Sequence, residues 1–257
     1  MTDIQKGWIL LLFSCFATFL FFLFVPPFGQ DKVYHNFADT AGLFGMPNFL
    51  NVLSSLSLLG VGLWGLALIR KDGLVHDNAG KYPAYSIFFA GLALTGLGSA
   101  YYHLMPDNAT LVWDRMPMAI SFSAFTVALV SEHVMPRIEK VLLYPFLGYG
   151  IFSVLYWYFT ELRGQGDLRF YAVVQFLPLL IIPVLCVFFR SRFTRNRDVI
   201  IAFILYAIGK LAEHFDQAIL SLTGFVSGHT LKHLFAALAT FWILRMLRLR
   251  EHQGSNA

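Results

Sequence analysis

The apolar residues of this chain are gathered into runs of about 20, the length an α-helix needs to cross a hydrocarbon core roughly 30 Å thick. Eight such runs can be drawn, at roughly 8–28, 47–69, 84–105, 111–133, 141–160, 169–190, 198–221 and 229–247. Turn residues separate them. Pro26-Pro27 closes the first, Met46-Pro47 opens the second, and Pro106-Asp107-Asn108 parts the third from the fourth. Gly224 and Gly228 flank the last turn. With 57% hydrophobic and 13% charged residues among 257, a soluble domain of this size is excluded. The linkers are too short for a separate soluble domain, so the expected fold is a single all-α integral membrane bundle of eight spans.

Lys6 ahead of the first run invites comparison with a signal peptide. That run is long, however, and Pro26-Pro27-Phe28 follows it where a small-x-small cleavage site would stand, so an uncleaved helix is expected. Lys and Arg counts by loop set the orientation. One side collects Lys6, Arg70, Lys71, Lys81, Arg137, Lys140, Arg190, Arg192, Arg195, Arg197, Arg245, Arg248 and Arg250, against Lys32, Arg163 and Arg169 on the other. Thirteen against three places both termini in the cytoplasm. The sequence pI of about 9.1 arises from these alternate loops. No basic stripe of the kind nucleic acid requires is present. Cys15 and Cys186 each fall inside an apolar run without a second cysteine nearby, and read as small buried hydrophobes.

Five polar residues interrupt this apolar pattern at one depth. Ser99 and His103 stand one helical turn apart at the end of the third run, Asp114 opens the fourth, and His229 and His233 repeat the one-turn spacing at the start of the last. Given the orientation, all five lie within about two turns of the outer surface. Residues i and i+4 share a helix face, so His229 and His233 can address one ion, with His103 as a third ligand from another helix. Three neutral imidazoles leave a fourth position for water, the pattern of a catalytic zinc site, where bound water ionises near neutral pH. Asp114 is placed to act as general base and Ser99 to donate a hydrogen bond to an oxyanion.

Each element is weak alone. A His-x-x-x-His pair is common on helices, a serine in a membrane helix usually bonds the carbonyl a turn earlier, and an aspartate near a helix start is favoured by the dipole. Their coincidence at one depth is what carries weight, because ionisable groups are expensive in a bilayer.

The combined pattern of Ser-x-x-x-His (Ser99, His103), an Asp eleven residues later (Asp114) and His-x-x-x-His in the last helix (His229, His233) resembles the CREST superfamily of seven-helix membrane hydrolases. Within it the chain is most similar to the alkaline ceramidase (alkaline phytoceramidase) family. Besides the motif, the segment from Asn51, the stretch Gly96-Leu97-Gly98-Ser99 and Asp114-Arg115-Met116-Pro117-Met118 carry the likeness, which covers roughly residues 47–247. The resemblance implies zinc held by His103, His229 and His233, proton transfer by Asp114, a supporting Ser99, and hydrolysis of the amide of an N-acyl lipid. It also implies a division into an N-terminal helix and outer loop (1–46) and a seven-helix core (47–257). Two departures stand out. The span 8–28 is extra, and the segment matching a family calcium site, Asp31 to Asn51, offers only Asp31, Asp39 and amides. That speaks against calcium, and against ceramide as the particular substrate.

Other polar residues are weighed similarly. Lys210, Glu213, His214, Asp216 and Gln217 read first as a charge-compensated lining of a wet cavity, with Glu213 pairing Lys210 or Lys232. The alternative makes Glu213 or Asp216 partners that orient a histidine ligand. A retinal-type role for Lys210 would leave the three-histidine pattern without a purpose. His35 and Asp39 are expected as exposed loop residues rather than a lid. Glu132 and His133 should reach the cytoplasmic interface, and Trp113, beside Asp114, should be an interfacial anchor. The expectation is thus an outward-facing enzyme acting on membrane lipid, suited to a bacterial inner membrane. Its rivals are a receptor-like zinc protein without significant turnover and a metal or proton transporter. The histidine pattern has no repeat in the first half, which counts against the transporter.

Overall fold

A computed structural model of the chain describes residues 2–72, 76–77, 80–81 and 83–253. Part of the basic loop 70–83 and the final residues 254–257 lie outside the described residues. Nine α-helices account for most of the described residues: α1 (Asp3–Phe24), α2 (Phe49–Asp72), α3 (Ala84–Leu104), α4 (Asn108–His133), α5 (Ile138–Leu162), α6 (Arg169–Phe188), α7 (Asn196–His214), α8 (Asp216–Thr223) and α9 (Gly228–Leu249). A 3-10 turn, Lys32–His35, lies in the loop after α1, and a two-rung antiparallel ribbon joins His76–Asp77 to Gly80–Lys81 between α2 and α3.

Six of these helices are long and apolar enough to cross a membrane: α1, α2, α3, α5, α6 and α9. Two of the eight expected spans fall outside that group, for a physical reason. The α4 helix carries Asp114, Arg115 and Glu132, and α7 carries Arg197, Asp198, Lys210 and Glu213. The α4 helix packs among α3, α5 and α6, and α7 against α9 and α6, so protein rather than lipid receives much of that charge. The run 198–221 is moreover not one helix. It breaks at Phe215, whose N–H is shared between the carbonyls of Leu211 (3.2 Å) and Ala212 (3.1 Å), and a separate helix, α8, follows.

Glycines decide where the central helices approach most closely. A Cβ on Gly96 would stand 2.5 Å from Leu59 N of α2. One on Gly98 would stand 1.9 Å from Trp113 O of α4, and one on Gly228 1.9 Å from Ala212 O of α7. These contacts are possible only without side chains. They sit beside Ser99, His103 and His229, and so set the spacing of the helices that carry them. The helix starts are fixed as well. Asp107 caps α4 by accepting from Thr110 N (2.7 Å), and Ser227 caps α9 by accepting from Thr230 N (3.1 Å). Hydrogen bonding to that Thr110 amide holds the Asp107 carboxyl below its usual value.

The bundle has two distinct ends. At one, Asp3 approaches Arg192 (3.8 Å), Glu251 N donates to Thr194 Oγ1, and Arg250 pairs with Glu132. Both Glu132 and His133 are buried there rather than reaching an interface, because Arg250 and Asn196 supply partners from distant parts of the chain. At the other end lie the loops 25–48 and 163–168 and the polar residues of the third, fourth and last runs. The α1 helix packs against α6 and buries only Leu10, leaving Leu11, Leu12, Phe16, Phe19, Leu23 and Phe24 exposed. Such a surface suits lipid and not water. Cys15 is exposed on this helix instead of buried, Cys186 is half-buried, and both are free thiols.

Candidate metal centre

His103 reaches the site from the last turn of α3, and His229 and His233 from the first two turns of α9. All three side chains are buried, and their ring nitrogens lie within 4.8 Å of one another, so the group could hold a metal ion. His103 Nε2 stands 3.3 Å from His233 Nε2 and 3.3 Å from His229 Nε2. A single ring proton cannot serve both contacts. Nitrogen ligands about 2.0–2.1 Å from a tetrahedral ion are separated by about 3.3 Å, so this spacing and donor set fit a first-row divalent metal such as zinc.

The residues that hold these rings were mostly invisible in the sequence. Ser54 Oγ lies 2.8 Å from His233 Nδ1 and 3.2 Å from Asn51 O, so the ring N–H can donate to the serine while its hydroxyl donates onward. Ser55 Oγ sits 3.1 Å from Ser99 Oγ and donates to Asn51 O at 2.8 Å. Asn51 Oδ1 accepts from Thr230 Oγ1 (2.9 Å), tying α2 to the ligand-bearing turn of α9. Asn48 Nδ2 donates to His103 O (2.8 Å). Phe37, from the loop after α1, lays its ring against those of His103 (4.6 Å between centroids) and His229 (4.8 Å). The Nδ1 of His103 is buried and has no hydrogen-bond partner among the described residues.

Asp114 lies two turns into α4, buried, and hydrogen-bonds with Ser99. Both line a cavity of about 260 Å³ that His233 also borders. One region of its wall is polar, with Ser99, Asp114, Arg115, Lys210, Glu213 and Lys232. Its remainder, reaching Phe88, Phe125, Ile182, Val199 and Ile243, is mostly apolar, with Thr95, Ser121, Gln175 and Thr240 interspersed. Ile243 is ten residues beyond His233 on one helix, so the apolar arm extends about 15 Å into the bundle. The structure thus brings together the three histidines, Asp114 and Ser99 at one end of the bundle.

The remaining polar residues resolve individually. Glu213 pairs with both Lys210 and Lys232, the latter at 2.8 Å, and its Oε1 is 3.6 Å from His229 Nδ1. That is an electrostatic contact too long for a hydrogen bond. Lys232 Nζ also stands 3.0 Å from His229 Nε2. Asp216, turned inward by the break at Phe215, accepts from His229 N (2.7 Å) and from Ala38 N (3.0 Å). It therefore fixes the start of α9 to the loop above it. His214 and Gln217 are exposed, as is Trp113.

The loop after α1 departs from the exposed stretch expected. His35 bonds Tyr102 Oη (2.9 Å) and Asn108 Oδ1 (3.0 Å), and Asp39 is buried, accepting from Ala41 N (3.0 Å). These contacts hold the segment down over the centre, with Phe37 beneath it. Asp31 instead caps the 3-10 turn by accepting from Val33 N (2.9 Å).

Fold and site together define an α-helical protein suited to a membrane, with a buried three-histidine group able to hold a metal ion at one end of its bundle. No family model matches the chain, and no curated protein matches it in sequence.

Proposed function

We propose that the protein is a zinc-dependent intramembrane amidase that hydrolyses a ceramide-like N-acyl lipid to a free fatty acid and a lipid amine. One observation carries the reading. The three imidazoles stand beside the Asp114–Ser99 pair on a cavity whose wall changes from polar to apolar. The likeness of this motif to the alkaline ceramidases supports it. Zinc held by His103, His229 and His233 would polarise the amide carbonyl and lower the pKa of water.

The chain's own residues supply the rest. Asp114 takes a proton from the attacking water and returns it to the departing nitrogen as the C–N bond breaks. Water's oxygen stays with the acyl carbon, so the products are a carboxylate and an amine. Ser99 steadies the Asp114 carboxylate, and would turn its single hydroxyl proton to the oxygen that gathers charge once Asp114 has taken up the proton of water. Glu213 pairs with Lys232, whose ammonium also stands 3.0 Å from His229 Nε2, so it offsets a positive charge set beside the ligand ring. The apolar arm excludes water and takes the acyl chain.

Thirteen basic residues on alternate loops favour cytoplasmic termini and a site facing outward, in a bacterial inner membrane. Substrate would then enter sideways from the outer leaflet. Purified protein incubated with a panel of N-acyl lipids tests the reading, with fatty acid followed by mass spectrometry and zinc content measured in parallel. Release from at least one amide is expected. No release from any member at full zinc occupancy would overturn the hydrolase and favour a receptor-like protein.

A further inference from the structure

Arg115 is buried at the polar end of the cavity, yet no carboxylate among the described residues forms an ion pair with it. Aromatic faces surround it instead. Its guanidinium carbon lies 4.3 Å from the Trp157 ring centroid, 5.0 Å from that of Tyr171 and 5.7 Å from that of Tyr34. One arm of the fork, Nη2, donates to Gln30 Oε1. The other, Nη1, is buried without a hydrogen-bond partner among the described residues.

A purely structural arginine would spend its fork on the nearest carboxylate. Glu161 belongs to the same cage through Gln30 and Trp157, its Oε2 accepting from Gln30 N (2.9 Å) and Trp157 Nε1 (3.1 Å). The acid therefore stiffens the cage without contacting the cation, whose charge is felt by Asp114 only through space. Holding a desolvated charge with an unsatisfied N–H is costly unless something completes it. A planar guanidinium with one free arm suits a carboxylate or phosphate oxygen.

We infer that Arg115 is a headgroup-recognition residue, holding a carboxylate or phosphate on the polar end of the lipid whose chain occupies the apolar arm. This rests on the amidase reading for the lipid's identity as an N-acyl compound, and narrows it to anionic N-acyl lipids over neutral ones. Burial pushes the Tyr34 phenol above its ordinary value, so that wall of the cage remains a neutral hydroxyl and does not repel an anion.

The test is equilibrium binding to the full-length protein in detergent, with ligand integrity checked by mass spectrometry. Three probes share one chain: N-oleoylglycine, N-oleoylethanolamine and oleic acid. N-oleoylglycine should bind about ten-fold tighter than the neutral ethanolamide, the scale of a charge-assisted hydrogen bond. Arg115→Gln should erase that difference by weakening N-oleoylglycine far more than the ethanolamide, and Arg115→Lys should keep part of it. Equal affinities in the wild-type protein, or a preference that survives Arg115→Gln, would overturn the inference. So would tight oleic acid binding with no advantage for N-oleoylglycine, since the cage would then receive the product. Should Arg115→Gln lose ethanolamide binding as well, and with it the fold, the wild-type comparison and Arg115→Lys decide. Anion preference without hydrolysis of any amide would retire the amidase and leave the recognition site standing. Hydrolysis without anion preference would do the reverse.

Discussion

Ser54 Oγ sits 2.8 Å from Nδ1 of His233, and the opposite nitrogen of that ring faces His103 at 3.3 Å. A small residue on α2 therefore fixes which nitrogen of an α9 histidine points into the centre. Ser54→Ala should leave the bundle folded and weaken zinc by about 10–100-fold, as loss of a ligand-orienting partner commonly does. Competition with a chelator of known affinity reads this directly. Unchanged affinity would mean that packing, or Ser55 Oγ at 3.4 Å from the same nitrogen, suffices to hold the ring.

Asp114→Asn separates proton transfer from metal binding. The amide is nearly isosteric and still accepts from Ser99, so zinc content should stay near that of the wild-type protein. Turnover of the best N-acyl substrate should fall by about 10²–10⁴-fold. Retained activity would remove Asp114 from the reaction.

Gly98→Ala probes the α3–α4 contact. The added carbon would meet Trp113 O at 1.9 Å, and backbone at that distance can yield only by moving a helix. A loss of about 1–3 kcal/mol is expected from overpacking, read as a lower thermal midpoint in detergent. Ser99 and Asp114 would separate in the same movement, so activity should fall more than stability.

The cap of α4 gives a pH dependence. The folded Asp107 carboxyl titrates below its unfolded counterpart, which lies near about 3.9. Its contribution is therefore complete above that value and disappears as pH falls through the lower folded one. Asp107→Ala should destabilise the protein at neutral pH, and the gap to the wild-type protein should shrink progressively below about pH 4. Thermal midpoints of the two proteins between pH 3 and pH 7 measure it.

The site residues with the longest reach in the sequence were those whose chemistry clashed with their surroundings. His103, His229 and His233 stood out because ionisable side chains are rare in apolar runs, and the one-turn spacing of His229 and His233 is simple helix geometry. Ser54, Ser55 and Asn51 gave no such signal, because small polar residues on a helix ordinarily satisfy their own backbone, as these partly do. Phe37 was one of 27 phenylalanines, and nothing local distinguishes a ring that meets imidazoles from one that meets lipid. The break at Phe215 lay hidden because no proline or glycine marks it, and the polar residues around it read as a cavity lining rather than a helix end. The inward turn of Asp216 depends on two amides, at residues 38 and 229, that only the fold brings near. The burial of Glu132 was equally unreadable, since Arg250, which neutralises it, lies at the far end of the chain.

The phenyl ring of Phe37 rests over two of the three imidazoles like a cork, beneath a segment pinned by Asp216 and by the contacts of His35. An ion seated below it could trade with the medium only when that stopper lifts. Metal exchange would then keep the rhythm of the segment's own opening, and a reagent that strips exposed ions in seconds would find this one slow to leave.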